Sequence, residues 1–205
     1  AIGLVGSEMC IRDRDDINEH YLGKKLFPSI AEEVISFDRE LSVIIVRDKD
    51  GNIKTFEPGE NVHKKGILVT TTLPSSTSEV LKNDAVTIAR KIVANLDYIG
   101  VMGVEFFLKE NELYVNEIAP RVHNSGHWTM DGSYSSQFQQ HIRAIMDLPL
   151  LSTERHSDII MYNLIGKVTS NLVNNELAKV YLYGKKESRP GRKMGHINLI
   201  KKKGS

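Results

Sequence analysis

The chain has 205 residues, 40% hydrophobic and 26% charged, which is typical of a globular protein with a buried core. No run of 18 apolar residues occurs, which argues against a membrane-spanning helix, and the single cysteine, Cys10, excludes an internal disulfide and favours a cytoplasmic location. The net charge of +1 hides an asymmetry, because residues 179–205 contain nine basic residues and one acidic residue. Such a basic block is typical of a solvated tail or of an anion-binding site.

The first stretch of the chain, AIGLVGSEMCIRDR, differs in character from the sequence that follows. It begins without Met, and its apolar part is too short for a secretory signal. The peptide is similar to translated sequencing-adapter sequence. We therefore expect residues 1–14, including Cys10, to be a non-native leader, and we leave them out of the fold prediction.

Apolar patterns predict short strands interrupted by two helices. The second helix has a capping box, because Ser136 is followed three residues later by Gln139. The order of elements indicates an α+β fold with a largely antiparallel sheet and flanking helices. In chain order, the predicted elements are strands at residues 29–35, 40–47, 53–56 and 66–73, a helix at 78–96, strands at 99–108 and 113–118, a helix at 136–147, and strands at 161–165 and 179–183.

The hairpin between the strands at 99–108 and 113–118 brings two acids together. A three-residue loop at 110–112 would place Lys109 opposite Leu113 and Glu105 opposite Glu117, with Cβ atoms about 4.5–5.5 Å apart. Opposed like charges destabilise a sheet, whereas a cation bound between them makes their interaction favourable. Carboxylate oxygens are ligands that suit Mg²⁺. The alternative is a pair of solvated surface glutamates, and a shift of one residue in register would separate them.

The loop at 118–132 is dense in polar side chains, as functional loops at strand ends often are. His123 and His127 are four residues apart, so a zinc site is one interpretation. A proline before them and a glycine between them argue against the helix that would bring both imidazoles to one face. Arg121 fits the alternative of a bidentate oxyanion ligand.

A second polar loop, YGKKESRPGRKMGH at 183–196, contains a cluster of basic residues around a Pro-Gly turn. The cluster fits a phosphate clamp, but the sequence alone favours a solvated basic loop, and a basic RNA-binding tail is a further alternative. No aromatic residues interleave with the charges as in a nucleic-acid stacking platform, so we expect no nucleic-acid partner. The basic residues are Lys185, Lys186, Arg189, Arg192 and Lys193.

These motifs together resemble those of the N5-carboxyaminoimidazole ribonucleotide synthase family of ATP-grasp enzymes. The similarity is carried by NEIAPRVHNSGHWTMDG with SQFQQHIRAIMDLPL, and by EEVISFDRELSVIIVRD, NVHKKGIL and YGKKESRPGRKMGHINLI, which span about residues 30–200. Other ATP-grasp enzymes share the paired acids but lack the APRxHNSGHW and RPGRKMGH stretches.

The resemblance implies a reaction of purine biosynthesis in which ATP, with Mg²⁺ or Mn²⁺, phosphorylates bicarbonate to carboxyphosphate. The carboxyl group then passes to 5-aminoimidazole ribonucleotide. It also implies a cytoplasmic enzyme that is homodimeric when full length. The implied fold is the C-terminal half of an ATP-grasp protein, with a partial ATP-grasp domain at 15–150 and a small, truncated β-rich subdomain at 151–205.

The resemblance further assigns roles to individual positions. For the nucleotide it implies an adenine hinge and a ribose acid, together with further contacts, at Glu32, Glu33, Val34, Ile35, Glu40, His63, Asn116 and Glu117. For the reaction it implies magnesium ligands at Glu105 and Glu117, a bicarbonate and phosphoryl loop at Arg121, His123 and Asn124, and cations for the ribonucleotide phosphate at Lys185 and Arg192.

The sequence also departs from the family pattern. In the family, a Gly-rich loop, two triphosphate-binding lysines and an N-terminal domain precede the hinge, and here 31 residues precede Glu32. We therefore expect a fragment that is inactive alone. Two other interpretations stay open: a fragment of another ATP-grasp carboxylase or ligase, and a non-catalytic nucleotide- or anion-binding module.

Overall fold

The computed structural model describes residues 2–5, 10–11, 30–166 and 176–201, and the chain divides into two compact units, Ala1–Phe37 and Asp38–Ser205. The first unit contains an antiparallel sheet in the order β2-β1-β3, formed by β1 (Ile2–Val5), β2 (Cys10–Ile11) and β3 (Ile30–Glu33). Two of these strands lie in the predicted leader. Its non-native origin, and the boundaries drawn at residues 15 and 150, stay predictions.

The second unit is built on one nine-stranded sheet in which the neighbouring strands are antiparallel. Its order is β11-β12-β10-β7-β6-β4-β8-β9, with β5 paired to β4, so the C-terminal strands extend the same sheet. The predicted α+β class with a largely antiparallel sheet is confirmed. The strands are β4 (Arg39–Arg47), β5 (Ile53–Thr55), β6 (Gly59–Lys64), β7 (Ile67–Leu73), β8 (Gly100–Lys109), β9 (Glu112–Ala119), β10 (Asp158–Ile165), β11 (Ala178–Leu182) and β12 (Lys193–Lys201).

In the part of this unit that the structure describes, the sheet is accompanied by three helices and a 3₁₀ turn: α1 (Glu79–Asn95), a 3₁₀ turn (Asn124–Gly126), α2 (Thr129–Gly132) and α3 (Gln137–Ile145). The predicted capping box is present, because the Ser136 hydroxyl accepts from Gln139 N–H while the Gln139 side chain accepts from Ser136 N–H. Strands β6 and β12 and helix α2 were not predicted. Among the described residues, no helix is long and apolar enough to cross a membrane.

The two faces of the sheet differ along β4 and β8, because side chains alternate between faces. One face packs against α1, and the core there consists of Leu41, Val43, Ile45, Ala85, Ala89, Val93, Met102, Val104 and Phe106. The opposite face is apolar at one end only, where Ile44, Val46 and Val101 pack with Trp128 and Ala144. At its other end this face carries buried polar residues, and these position the candidate site.

Candidate active site

A cavity of about 210 Å³ lies over the polar end of this sheet face. It brings together residues from four separate stretches of sequence, six of which were assigned to the site from the sequence. Its lining consists of His63, Gly66, Leu68, Glu105, Glu117, Arg121, His123, Asn124 and Lys193.

The two acids are register partners, as predicted, but the predicted loop is wrong. Lys109 pairs with Glu112 rather than with Leu113, because the turn has only two residues, Glu110 and Asn111. Both have positive φ, 50° and 67°, as a type I′ hairpin turn requires.

A β-bulge then restores the register that the shorter turn would have changed. Between Glu105 and Phe106 the pairing shifts by one residue, and Asn116 is the extra residue on β9. Glu105 therefore lies opposite Glu117, whereas Asn116 is exposed and does not line the cavity.

Burial makes Glu105 an unusual carboxyl group. It is 7% exposed, and desolvation raises its pKa to about 7, with the charge of Glu117 raising it further and nearby His63 lowering it. Half of the Glu117 side chain is exposed. A buried carboxylate facing a second carboxylate is costly when ionised, and a divalent cation would remove that cost. The donor set therefore fits Mg²⁺ held by two carboxylates and by oxygens from a ligand.

Glu40 and His63 form a second pair beside the acids. The Glu40 carboxylate is buried, and its Oε2 lies 2.9 Å from Nδ1 of His63. Glu40 is on the same face of β4 as Ser42, which is the register partner of Glu105. The ring of His63 thus connects a buried acid to the cavity. That the two residues bind one nucleotide stays a prediction.

The buried amide of Gln137 holds His123 in place. Its Oε1 accepts from His123 N–H at 2.9 Å, and its Nε2 donates to the His123 carbonyl at 2.7 Å. The His123 ring has Nδ1 2.8 Å from Ser125 Oγ and 3.8 Å from Glu105 Oε1. Burial and the nearby Arg121 charge lower the His123 pKa to about 4, so the ring is neutral near pH 7.

Two glycines make this packing possible. A Cβ atom on Gly103 would lie 2.7 Å from Cβ of His123, and one on Gly126 would lie 2.5 Å from Oε1 of Gln137. Both separations are far below van der Waals contact. Gly103 on β8 therefore provides the space that His123 occupies between the apolar and the polar end of the face.

His127 belongs to a different environment from His123. Its Nδ1 lies 3.1 Å from Nε2 of Gln137, and its ring stacks on His196 with centroids 4.6 Å apart. Burial lowers its pKa to about 3. No group of three or more His, Cys, Asp or Glu side chains in the described part of the chain is arranged to hold a metal, so nothing in that part supports the zinc interpretation.

The structure separates the cations of the loop at 183–196. Lys185 donates from Nζ to the carbonyl of Lys193 at 2.7 Å, and Arg192 donates from Nη1 to the carbonyl of Glu187 at 3.0 Å. Neither lines the cavity, whereas Lys193 does. Burial lowers the pKa of Lys193, and the acids Glu105 and Glu117 oppose that shift.

Comparisons with known proteins agree with this geometry. Residues 6–138 match the ATP-grasp domain model, and residues 160–205 match the model of the phosphoribosylaminoimidazole carboxylase C-terminal domain. A Brucella melitensis protein named N5-carboxyaminoimidazole ribonucleotide synthase is 52% identical over 179 residues, which are 85% of this chain and 49% of that protein. The chain belongs to the N5-carboxyaminoimidazole ribonucleotide synthase family.

Solved structures of this family include ligand complexes. The Aspergillus clavatus synthase complexed with ATP is 35% identical and has a TM-score of 0.89, covering 98% of this chain and 58% of its own. The Aspergillus clavatus synthase in complex with ADP and 5-aminoimidazole ribonucleotide is 35% identical and has a TM-score of 0.88, covering 98% and 57%. The chain spans about half the length of the curated synthases it matches.

Other residues assigned by resemblance to the synthase family belong to the first unit. Glu32 and Glu33 end strand β3, and Val34 and Ile35 follow them in the first unit. Their role as an adenine hinge stays a prediction. The sequence analysis missed Gln137 and Gly103, because their importance depends on which side chain of a distant loop meets them.

Proposed function

We propose that this chain supplies the C-terminal half of the active site of an ATP-dependent synthase that carboxylates 5-aminoimidazole ribonucleotide with bicarbonate. The observation that carries the proposal is the convergence of Glu105, Glu117, Arg121, His123 and Asn124 on one cavity. Phosphoryl transfer depends mainly on positioning and on neutralising charge, and a cavity with paired acids and cations provides both.

Glu105 and Glu117 would hold Mg²⁺ in this proposal. The ion would supply charge neutralisation for the phosphate groups when bound. Its binding would also keep Glu105 ionised, because an opposite charge favours the carboxylate. Glu40 would accept from the ribose hydroxyls, oriented by its contact with His63.

The loop from Arg121 to Asn124 would hold bicarbonate and the transferred phosphoryl group. A bicarbonate oxygen forms a bond to the γ-phosphorus while the bond from that phosphorus to the ADP oxygen breaks. The amine of the ribonucleotide then bonds to the carboxyl carbon, phosphate leaves, and the amine gives up one proton. Neutral His123 would orient the oxyanion without adding a charge, because its pKa is lowered to about 4.

Lys185 and Arg192 would bind the phosphate of the ribonucleotide outside this cavity. Both are on the loop at 183–196, and Lys185 is exposed there. A guanidinium fork suits a phosphate better than a single point charge does. The adenine is assigned to residues 32–35. We further propose that the whole protein is a cytoplasmic homodimer, which size-exclusion chromatography of the whole protein and its localisation in cells would test.

Turnover can be tested in a full-length enzyme made by joining this chain to the N-terminal half of the Brucella melitensis relative. We expect ADP formation that requires both bicarbonate and 5-aminoimidazole ribonucleotide, with no turnover by the 205-residue chain alone. Bicarbonate-dependent ADP formation that ignores the ribonucleotide would instead favour another ATP-grasp carboxylase.

The substrate-phosphate assignment predicts a selective kinetic effect in the same enzyme. Arg192→Ala should raise KM for the ribonucleotide by an amount that corresponds to about 1.5–3 kcal/mol, with KM for ATP unchanged. Arg189→Ala is the matched control, because Arg189 pairs with Glu187 in the same loop and is largely exposed. An equal rise of both KM values would indicate structural damage and remove the assignment.

A further inference from the structure

One buried amide fixes the protonation of His127. The Gln137 side chain is fully buried, and it accepts from His123 N–H and donates to the His123 carbonyl, so the backbone of His123 determines which of its atoms is oxygen and which is nitrogen. The amide nitrogen carries a second N–H, and Nδ1 of His127 lies 3.1 Å from that nitrogen. Nδ1 must therefore accept, which requires a neutral ring with its proton on Nε2.

A second set of hydrogen bonds holds the same loop on the first turn of α3. The backbone N–H of Gln137 donates to Oγ1 of Thr129 at 2.9 Å, and that hydroxyl donates to the Gly126 carbonyl at 2.6 Å. Thr129 is fully buried, like Gln137. Because Gln137 holds the loop through both its main chain and its side chain, a displacement of His127 reaches His123 through this one residue.

Stacked rings connect His127 to the C-terminal strands. The ring of His127 stacks on Phe138, with centroids 5.6 Å apart, and on His196, with centroids 4.6 Å apart. His196 stacks in turn on Tyr181 at 4.6 Å, so the stack includes rings from α3, the loop, β12 and β11. Burial lowers the pKa of His127 to about 3 and that of His196 to about 4, so two neutral imidazoles stack near pH 7 without charge repulsion.

Hydrogen bonds join the hairpin formed by β11 and β12 to the same loop. Asn198 on β12 is fully buried, and its Nδ2 donates to the His127 carbonyl at 3.0 Å and to Oδ2 of Asp131 at 2.7 Å. The hydroxyl of Tyr181 on β11 donates to Oδ1 of the same carboxylate at 3.0 Å. Both strands that flank the loop at 183–196 are therefore joined to the segment that contains His127.

We propose that His127 is a positioning residue, which sets the place of His123 through Gln137 and couples it, through the ring stack, to the β11–β12 hairpin. This inference rests on the proposed function, in which the loop of that hairpin binds the ribonucleotide phosphate and His123 orients the oxyanion. The two substrate sites then depend on each other, because a shift of the hairpin moves the ring on which the Gln137 amide is fixed. Correct placement of a reacting group is worth a large part of a rate enhancement.

The first test is the tautomer of His127, measured on the 205-residue chain by heteronuclear NMR of the imidazole nitrogens. We expect the proton on Nε2 and a bare Nδ1 near neutral pH, with the signal identified by its loss in His127→Phe. Gln137→Met removes the donor, so it should give a mixture of tautomers. Gln140→Met is the matched control, because Gln140 is an equally buried amide of α3 that bonds to Leu151 instead, and it should leave the tautomer unchanged.

Turnover of the joined full-length enzyme is the second test. Gln137→Met should lower kcat about tenfold or more with little change in KM for ATP, because it displaces His123 without removing a contact to the nucleotide. Gln140→Met should keep kcat close to that of wild type. Thermal unfolding of each variant sets a temperature at which all of them are folded.

Two substitutions of His127 separate the hydrogen bond from the stack. His127→Phe keeps a ring and removes the acceptor, so it should lower kcat and leave KM for the ribonucleotide nearly unchanged. His127→Asn keeps an amide oxygen near the position of Nδ1 and removes the ring. It should therefore retain more of kcat and raise KM for the ribonucleotide, because the link to His196 is lost.

A wild-type His127 with its proton on Nδ1, or equal tautomer populations in the Gln137 and Gln140 variants, would overturn the inference and leave the proposed function intact. Equal losses of kcat in those two variants, or the same changes in kcat and KM for Phe and Asn at His127, would also overturn it, because they indicate a purely structural role. A joined wild-type enzyme without turnover would contradict the proposed function and, with it, the coupling to the ribonucleotide. The tautomer measurement decides separately whether Gln137 holds His127.

Discussion

The two faces of the central sheet are formed by the same strands but differ in the side chains that they carry. On β8, Met102, Val104 and Phe106 face α1 in a fully buried apolar layer. On the other face of the same strand, Val101 is in the core, Gly103 leaves space for His123, and Glu105 enters the cavity.

The difference teaches how a polar site is supported within a hydrophobic fold. The α1 face has close-packed apolar side chains, so a variant on this face loses stability because buried apolar contacts are lost. The cavity face holds a buried carboxyl group, whose ionisation has an electrostatic free-energy cost. That cost changes with pH and with bound cations. Variants of the two faces should therefore differ in the kind of effect as well as in its size.

The largest effect is expected on the apolar face. Phe106→Ala should lower the free energy of unfolding by about 3–5 kcal/mol, because Phe106 is fully buried against α1. Val115→Ala is the control, since Val115 is the register partner of Phe106 but is 44% exposed, and it should cost about 0.5 kcal/mol or less. Urea unfolding measures both, and similar losses would contradict the proposed core.

A smaller effect is expected where the two ends of the cavity face meet. Gly103→Ala should cost about 1–3 kcal/mol, because the new methyl group would overlap His123 and force it to move. Adding His123→Gly to this variant removes the overlapping atoms and should recover part of the loss. Thermal unfolding of the single and double variants checks this, and strict additivity would show that the two residues do not meet.

Much of the sheet was predictable because local patterns determine it. The run at 40–47 and the helix at 78–96 bury many residues at regular spacing, so their bounds agree within two residues with β4 and α1. Strand β6 was missed because GENVHK alternates weakly and contains few apolar residues.

The opposed pair at Glu105 and Glu117 was predicted correctly for a wrong reason. The predicted three-residue loop and the observed two-residue turn with its bulge at Asn116 give the same partners. The amide contacts of Gln137 and the position of Lys193 in the cavity could not be predicted, because each depends on tertiary packing between distant segments.

The pH dependence of one variant tests the central claim, that a buried carboxyl group at Glu105 is held for a cation. The pKa of Glu105 in the folded protein is about 7, above the ordinary glutamate value of 4.5. Between these pH values the metal-free folded state therefore binds more protons than the unfolded state. Ionisation of Glu105 therefore lowers stability as pH rises through that interval. His123 has the opposite dependence, is present in both proteins, and cancels in the difference to first order.

The measurement is the urea unfolding of wild type and Glu105→Gln at about pH 5 and about pH 8, with and without Mg²⁺. Without metal, the Gln variant should gain about 2–3 kcal/mol relative to wild type between these pH values. Mg²⁺ at the higher pH should stabilise wild type and leave the Gln variant unchanged. A difference that is the same at both pH values, together with equal Mg²⁺ effects on both proteins, would contradict the account.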